Sequence, residues 1–232
     1  MVLEQDCCNN VGALLDDLVI YMPFANEARD LISGNYVSDW NNGTVDNVFV
    51  QDRAGNDTCA ISFTGNDAIT IPVTAQNQLA QGESFSISLW FKMQNTIGGD
   101  LELFFRKLGN ATQGFNLGVF DLNTPLIFDN LSTSLWDNDW NLEVDVEWEN
   151  TDWHHLVVTI DNNNTIRLYR DGIERGVIEN SDFSVGSDPT SFFVMGEDFQ
   201  GFLDDLRVYK KALSPNEISM LNALEADCFN CL

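Results

Sequence analysis

Between Asp152 and Gly172 the chain reads D-W-H-H-L-V-V-T-I-D-N-N-N-T-I-R-L-Y-R-D-G, and this stretch leaves little choice of fold. Leu156, Val158 and Ile160 alternate with His155, Val157 and Thr159, the period of a strand with one buried face. Asp161 to Asn164 are turn formers, because Asn and Asp tolerate left-handed backbone and bond their own main chain. Ile166 and Leu168 alternate with Arg167 and Tyr169, Asp171-Gly172 is a two-residue hairpin signal, and Ile173 to Ile178 reads as the returning strand. Three antiparallel strands form a meander whose apolar face needs a second sheet to cover it.

The rest of the chain supplies that sheet. Leu18 to Phe24, Ala60 to Phe63, Ala68 to Ile71, Leu101 to Lys107, Gly114 to Phe120, Leu126 to Asp129 and Leu142 to Trp148 read as strands, with a short one near Val48–Val50. Ser84 to Met93 alternates Phe85, Ile87, Leu89 and Phe91 inward. Ser191 to Met195 and Gly201 to Tyr209 bring the expectation to about twelve strands. Ser214-Pro215-Asn216-Glu217 is a capping box with proline at the first helical position, opening a helix that turns Ile218, Leu221 and Leu224 inward. No repeat or linker divides the chain, so residues 16–225 are expected as one all-β domain. It is expected as an antiparallel β-sandwich with a short C-terminal helix, between an extension at 1–15 and a cysteine-containing tail at 226–232.

Charge narrows the partners. The 36 acidic residues against 11 basic ones leave a net charge of −25, which repels nucleic acid and anionic lipid. No segment has the apolar length of a transmembrane helix. Four of the five cysteines, at 7, 8, 228 and 231, lie at the two ends. One of Cys7/Cys8 bridging to one of Cys228/Cys231 would indicate an oxidising compartment, whereas a four-thiolate zinc site would need an unusual spacing. Cys59 reads as a buried small hydrophobe.

In order and spacing the chain resembles the laminin-G-like branch of the concanavalin A-like lectin/glucanase superfamily. The matching blocks are L-V-I-Y-M-P-F with A-R-D-L-I-S-G-N (18–35), I-S-F-T-G-N-D-A-I-T-I-P (61–72), F-S-I-S-L-W-F-K (85–92), W-H-H-L-V-V-T-I-D with I-R-L-Y-R-D-G (153–172), and G-F-L-D-D-L-R-V-Y-K-K-A-L-S-P-N-E-I (201–218). The resemblance implies a two-sheet antiparallel jelly roll, and a structural calcium ion held by Asp30 in the first loop and Asp204 in the penultimate strand. Asn26, Ser33 and Asn35 are further oxygen donors, although Ala25 and Glu27 depart from the family pattern. The alternative is that Asp30 caps a turn and Asp204 pairs with an arginine such as Arg207.

Two surfaces carry candidate chemistry. In E-V-D-V-E, alternation places Glu143, Asp145 and Glu147 on one strand face, where mutual repulsion raises at least one pKa, as a retaining glycosidase requires. The pattern is similar to the catalytic strand of laminarinases and lichenases. On that template Glu143 would be the nucleophile, Asp145 the helper and Glu147 the acid/base. Glu147 precedes Trp153 by only six residues, against tens in those enzymes, so the non-catalytic reading is preferred. Trp136, Trp140 and Trp148, interleaved with Asp137, Asn138 and Asp139, offer rings for stacking on pyranoses and polar groups for hydroxyls. His154 and His155 point to opposite faces, so they form no metal pair. The function expected is a calcium-stabilised, lectin-like module of a secreted or cell-surface protein that binds a polysaccharide. The alternatives are an adhesion or structural domain with a protein partner, and a β-glucanase.

Overall fold

The computed structural model describes residues 14–39, 48–80, 82–94, 101–108, 114–120, 126–131, 139–141, 151–179, 181, 183, 185 and 191–224. They form two antiparallel sheets and one helix. In chain order the strands are β1 (Leu18–Met22), β2 (Ser38–Asp39), β3 (Val48–Val50), β4 (Ala60–Thr64), β5 (Ile69–Pro72), β6 (Phe85–Met93), β7 (Leu101–Leu108), β8 (Gly114–Phe120), β9 (Leu126–Leu131), β10 (Asp139–Asn141), β11 (His154–Ile160), β12 (Ile166–Arg170), β13 (Ile173–Ile178), β14 (Phe192–Met195) and β15 (Gln200–Tyr209), followed by α1 (Pro215–Ala223). The eight-stranded sheet runs β13-β12-β11-β6-β15-β4-β3, with β1 also on β15, and the seven-stranded sheet runs β10-β9-β8-β7-β14-β5-β2. The expected jelly-roll sandwich is present, with fifteen strands among the described residues rather than about twelve. The 142–148 strand expected from alternation lies outside the described residues.

The local signals fold as chemistry dictates. In β6, Phe85, Ile87, Leu89 and Phe91 are buried in the core between the sheets, joined there by Leu156, Val158 and Ile160 of β11 and Leu203, Leu206 and Val208 of β15. The Asp161 carboxylate accepts from the Asn163 and Thr165 amides at 2.8 and 2.9 Å, and Asn164 takes the left-handed conformation at φ 57°. Asp171 and Gly172 have φ of 52° and 76°, the two positive values a type I′ hairpin needs. At α1 the Ser214 hydroxyl accepts from the Glu217 amide, and the Glu217 carboxylate accepts from the Ser214 amide at 2.7 Å.

Strand β11 departs from the one-sided burial that its alternation predicts. All of it from His155 to Ile160 is buried. The outer face of the eight-stranded sheet is itself covered: Val157, Tyr169 and Tyr209 pack with Leu14, Leu18, Tyr21, Leu213 and the α1 residues Ile218 and Leu221. The helix thus seals a second, smaller apolar layer outside the sandwich. Ser86 of β6 fits beneath it because its hydroxyl donates to the Lys211 carbonyl (2.8 Å) and accepts from the Leu213 amide (2.9 Å).

Candidate functional site

Strand β15 changes partner along its length. Its first half pairs with β4 through Leu203, and its second half pairs with β1 from Leu206 to Tyr209. At the changeover the adjacent acids Asp204 and Asp205 interrupt the register with β6, and Asp205 adopts φ 53°. Both carboxylates are buried on the sheet's outer side.

Arg53 neutralises them. Its guanidinium donates from Nη1 to Asp204 Oδ2 and from Nη2 to Asp205 Oδ2, both at 2.7 Å. The loop that presents it is closed by the buried Asp52, which accepts from the Ala54 and Asn56 amides and the Asn56 side chain at 2.8–2.9 Å. Arg207 adds a second cation 3.2 Å from Asp205. Two guanidiniums thus face two carboxylates, the balance a buried cluster requires. Aromatic faces complete it, with Arg53 4.4 Å above the Trp90 ring and Arg207 4.4 Å above Tyr21. Burial and the Asp205 charge push Asp204 well above the usual carboxylate range, against the pull of Arg53. Burial would raise Asp205 too, but Arg207 and Arg53 together hold it low.

His155 borders this cluster. Its Nε2 lies 2.9 Å from the Ser88 hydroxyl, and its ring stacks on Trp90 with centroids 5.0 Å apart. Burial, then Arg207 and Arg53, lower its pKa to about 3, so the ring is neutral. Its Nδ1 has no hydrogen-bond partner, so a second ring proton would be left without an acceptor. His154 points to the opposite side of β11, with Nδ1 2.8 Å from Asp171 Oδ2. Burial works against the Asp171 carboxylate, but hydrogen bonds from His154 and the His155 amide bring its pKa below the usual value. The pair anchors a hairpin and joins in no common site.

The residues named for calcium divide between two structures. Asp30 is buried, and its carboxylate accepts from the Tyr21 amide (3.0 Å), the Ile32 amide (3.1 Å), the Ser33 amide (3.2 Å) and the Ser33 hydroxyl (2.5 Å). Ser33 Oγ accepts in turn from the Asn35 amide. Asn26 sits at the turn's entry with φ 57°, its amide bonded to the Thr58 carbonyl. A calcium ion needs six or more oxygens with lone pairs to give. Here the Asp30 oxygens face four donor hydrogens, and Asp204 faces Arg53. The donor set does not fit a calcium ion in this arrangement. Among the described residues no three His, Cys, Asp or Glu side chains gather as a metal-ligand group. Asp30 caps the first loop, as the alternative reading has it, and the arginine partner of Asp204 is Arg53.

Trp136, Asp137 and Trp148, like Glu143, Asp145 and Glu147, lie outside the described residues. For Asp139 and Trp140 the backbone alone is described, in β10 at one edge of the seven-stranded sheet. Cys59 is disulfide-bonded rather than a free buried thiol, and the other four cysteines lie outside the described residues.

Sequence reasoning missed Arg53, Asp205, Trp90, Lys92 and Phe202. One signal for the cluster stands in L-D-D-L-R-V-Y: consecutive acids on a strand cannot share a face, so they mark a bulge.

Among the described residues, nothing seals the outer face at its other end. One residue row beyond the cluster, Phe202 of β15 pairs with Lys92 of β6 and with Ser62 of β4. Trp153, the residue before β11, lies across β6 from Phe202, their ring centroids 6.4 Å apart. Trp153, Lys92, Phe202 and Ser62 are half-buried.

A family model described as the Concanavalin A-like lectin/glucanases superfamily, of laminin G type, matches residues 63–219. The chain belongs to this superfamily. No curated protein matches the sequence at a significant level. Among solved structures the chain is similar to domain 4 of AbnA, a GH43 extracellular arabinanase from Geobacillus stearothermophilus in complex with arabinotriose. The identity is 21% and the TM-score 0.65, over 89% of this chain and 98% of that one. The binding domain of Paraclostridial Mosquitocidal Protein 1 is 19% identical, with a TM-score of 0.63 over 89% of this chain and 52% of that one. The binding domain of Botulinum Neurotoxin DC, in complex with SialylT, is 14% identical, with a TM-score of 0.66 over 89% and 51%. The chain therefore spans nearly all of the arabinanase domain and about half of each toxin binding domain. At these identities the likeness establishes the fold.

Proposed function

We infer that this chain is a non-catalytic carbohydrate-binding module of a secreted or cell-surface protein. The observation that carries the reading is the full-length likeness to an arabinanase domain seen with arabinotriose, within a superfamily of lectins and glucanases. The toxin neighbours are binding domains as well, which favours binding over hydrolysis. The Cys59 disulfide supports an oxidising compartment, and no helix among the described residues is long and apolar enough to cross a membrane. The proposed glycan surface is the Trp136, Asp137, Asp139, Trp140 and Trp148 stretch around edge strand β10. There, indole faces would stack on sugar rings while the carboxylates accept from hydroxyls.

The test is native affinity electrophoresis in gels containing arabinan, laminarin or mixed-linkage glucan, with reducing ends measured in parallel. Retardation by at least one polymer without release of reducing ends is expected, and Trp140→Ala should relieve it. Release of reducing ends that Glu143→Gln abolishes would replace this reading with a glucanase. No retardation in any gel would leave a protein-binding role.

A further inference from the structure

The outer face of the eight-stranded sheet carries a second feature, distinct from the β10 edge. Lys92 is half-buried and its ammonium makes no ion pair or hydrogen bond among the described residues. Carboxylates outnumber cations 36 to 11 in this chain, and Arg29, Arg53, Arg106, Arg167, Arg207 and Lys211 each have a carboxylate within 4 Å. Both lateral neighbours of Lys92 are aromatic. Adjacent strands lie about 4.8 Å apart, so Trp153 and Phe202 stand on strands separated by roughly 10 Å. Their rings nevertheless approach to 6.4 Å, leaning toward each other over the strand that carries Lys92. Ser62 adds a hydroxyl beside Phe202.

The row is held firmly from behind. Trp90, one row inward on the same face, is fixed between the Arg53 guanidinium and the His155 ring. Phe202 and Trp153 each stand next to a fully paired strand, so the rings need little ordering when a ligand arrives.

We propose that Trp153, Lys92, Phe202 and Ser62 form a subsite for a sugar bearing a single carboxylate, within an otherwise neutral oligosaccharide. The two rings present π-faces to the apolar C–H side of a sugar ring, and the Lys92 ammonium offers the carboxylate a charge-assisted hydrogen bond. The overall charge of −25 sets the ligand's charge density: it repels a dense polyanion, while at physiological salt a lone carboxylate feels only charges within about 8 Å. This assignment rests on the carbohydrate-binding reading and adds the class of sugar and a second place of contact.

Isothermal titration with matched oligosaccharides tests it, using 3′-sialyllactose against lactose and glucuronosyl-xylotriose against xylotriose. In at least one pair the acidic member should bind roughly tenfold more tightly, the value of one charge-assisted contact. Lys92→Met should remove that difference, and Trp153→Ala should abolish binding of the acidic member, both at an unchanged melting profile. Equal affinities within both pairs, no binding in either, or a preference that survives Lys92→Met would each overturn the subsite. Retardation in the polysaccharide gels despite such a result would leave the carbohydrate-binding reading standing. Loss of both results together would remove the reading itself.

Discussion

The outer face of the eight-stranded sheet divides into two halves built from the same materials. In the sealed half, Arg53 lies over Trp90 and is held by Asp204 and Asp205. In the open half, Lys92 stands between Trp153 and Phe202 with no ion-pair partner among the described residues. Each pairs a cation with aromatic rings on neighbouring strands, and the counter-ion makes the difference. Where the protein supplies its own anions, the cation is spent on stability. Where the described residues supply none, the proposed ligand would neutralise the cation.

Removing the sealed cation should have the largest effect. Arg53→Met leaves two buried carboxylates facing Arg207 alone, and about 3–5 kcal/mol of stability should be lost in urea unfolding. A loss under 1 kcal/mol would mean that water reaches the bulge and the two halves are less different than described.

The next effect depends on pH. His155 takes up a proton near pH 6.5 when unfolded but only at about 3 when folded. Over that interval the unfolded chain binds the extra proton, so stability falls as pH falls, by up to about 1.4 kcal/mol per pH unit. Between pH 6.5 and 5 the carboxylates whose pKa values are lowered, Asp171, Asp205 and Glu217, contribute little, whereas Asp204, raised by burial, binds its proton more readily when folded and so acts with the opposite sign. The His155 contribution is therefore read as the difference between the wild-type and His155→Gln slopes: the wild type should lose more stability per unit fall in pH, and equal slopes would show that the ring is solvated.

Smaller still is the cap that closes the helix over the sealed half. Ser214→Ala should cost about 1 kcal/mol, read as a lower thermal midpoint. In the open half, Lys92→Met should change stability by less than about 0.5 kcal/mol, as for other surface positions. The last expected effect is none. EDTA should leave the melting temperature where it was, because Asp30 and Asp204 are already satisfied by protein donors. A clear drop would restore a structural cation.

This contrast also separates what the sequence reveals from what it hides. The β6 alternation, the Asp171-Gly172 hairpin and the Ser214 capping box were legible because each is decided by residues within a few positions of one another. The Asp30 turn was legible only as the alternative to a calcium ligand, because an acid in a loop suits either role and the amides that cap it are not visible in the residue pattern. The sealed cluster was not, because Arg53 meets its carboxylates about 150 positions away. Its loop looked like any Asn/Asp-rich connection. The same nonlocality explains β11: alternation predicted one buried face, and the second was buried by α1, some 60 residues later. Lys92 escaped notice for a related reason. A lysine on a strand is unremarkable until its cross-strand neighbours are known to be aromatic rather than acidic.

The central claim, a sandwich that binds glycan without cleaving it, is tested most directly by the wild-type protein in polysaccharide affinity gels with reducing ends followed over a day. The account predicts retarded migration in at least one gel and no new reducing ends. Sustained release of reducing ends, lost in Glu143→Gln, would contradict it.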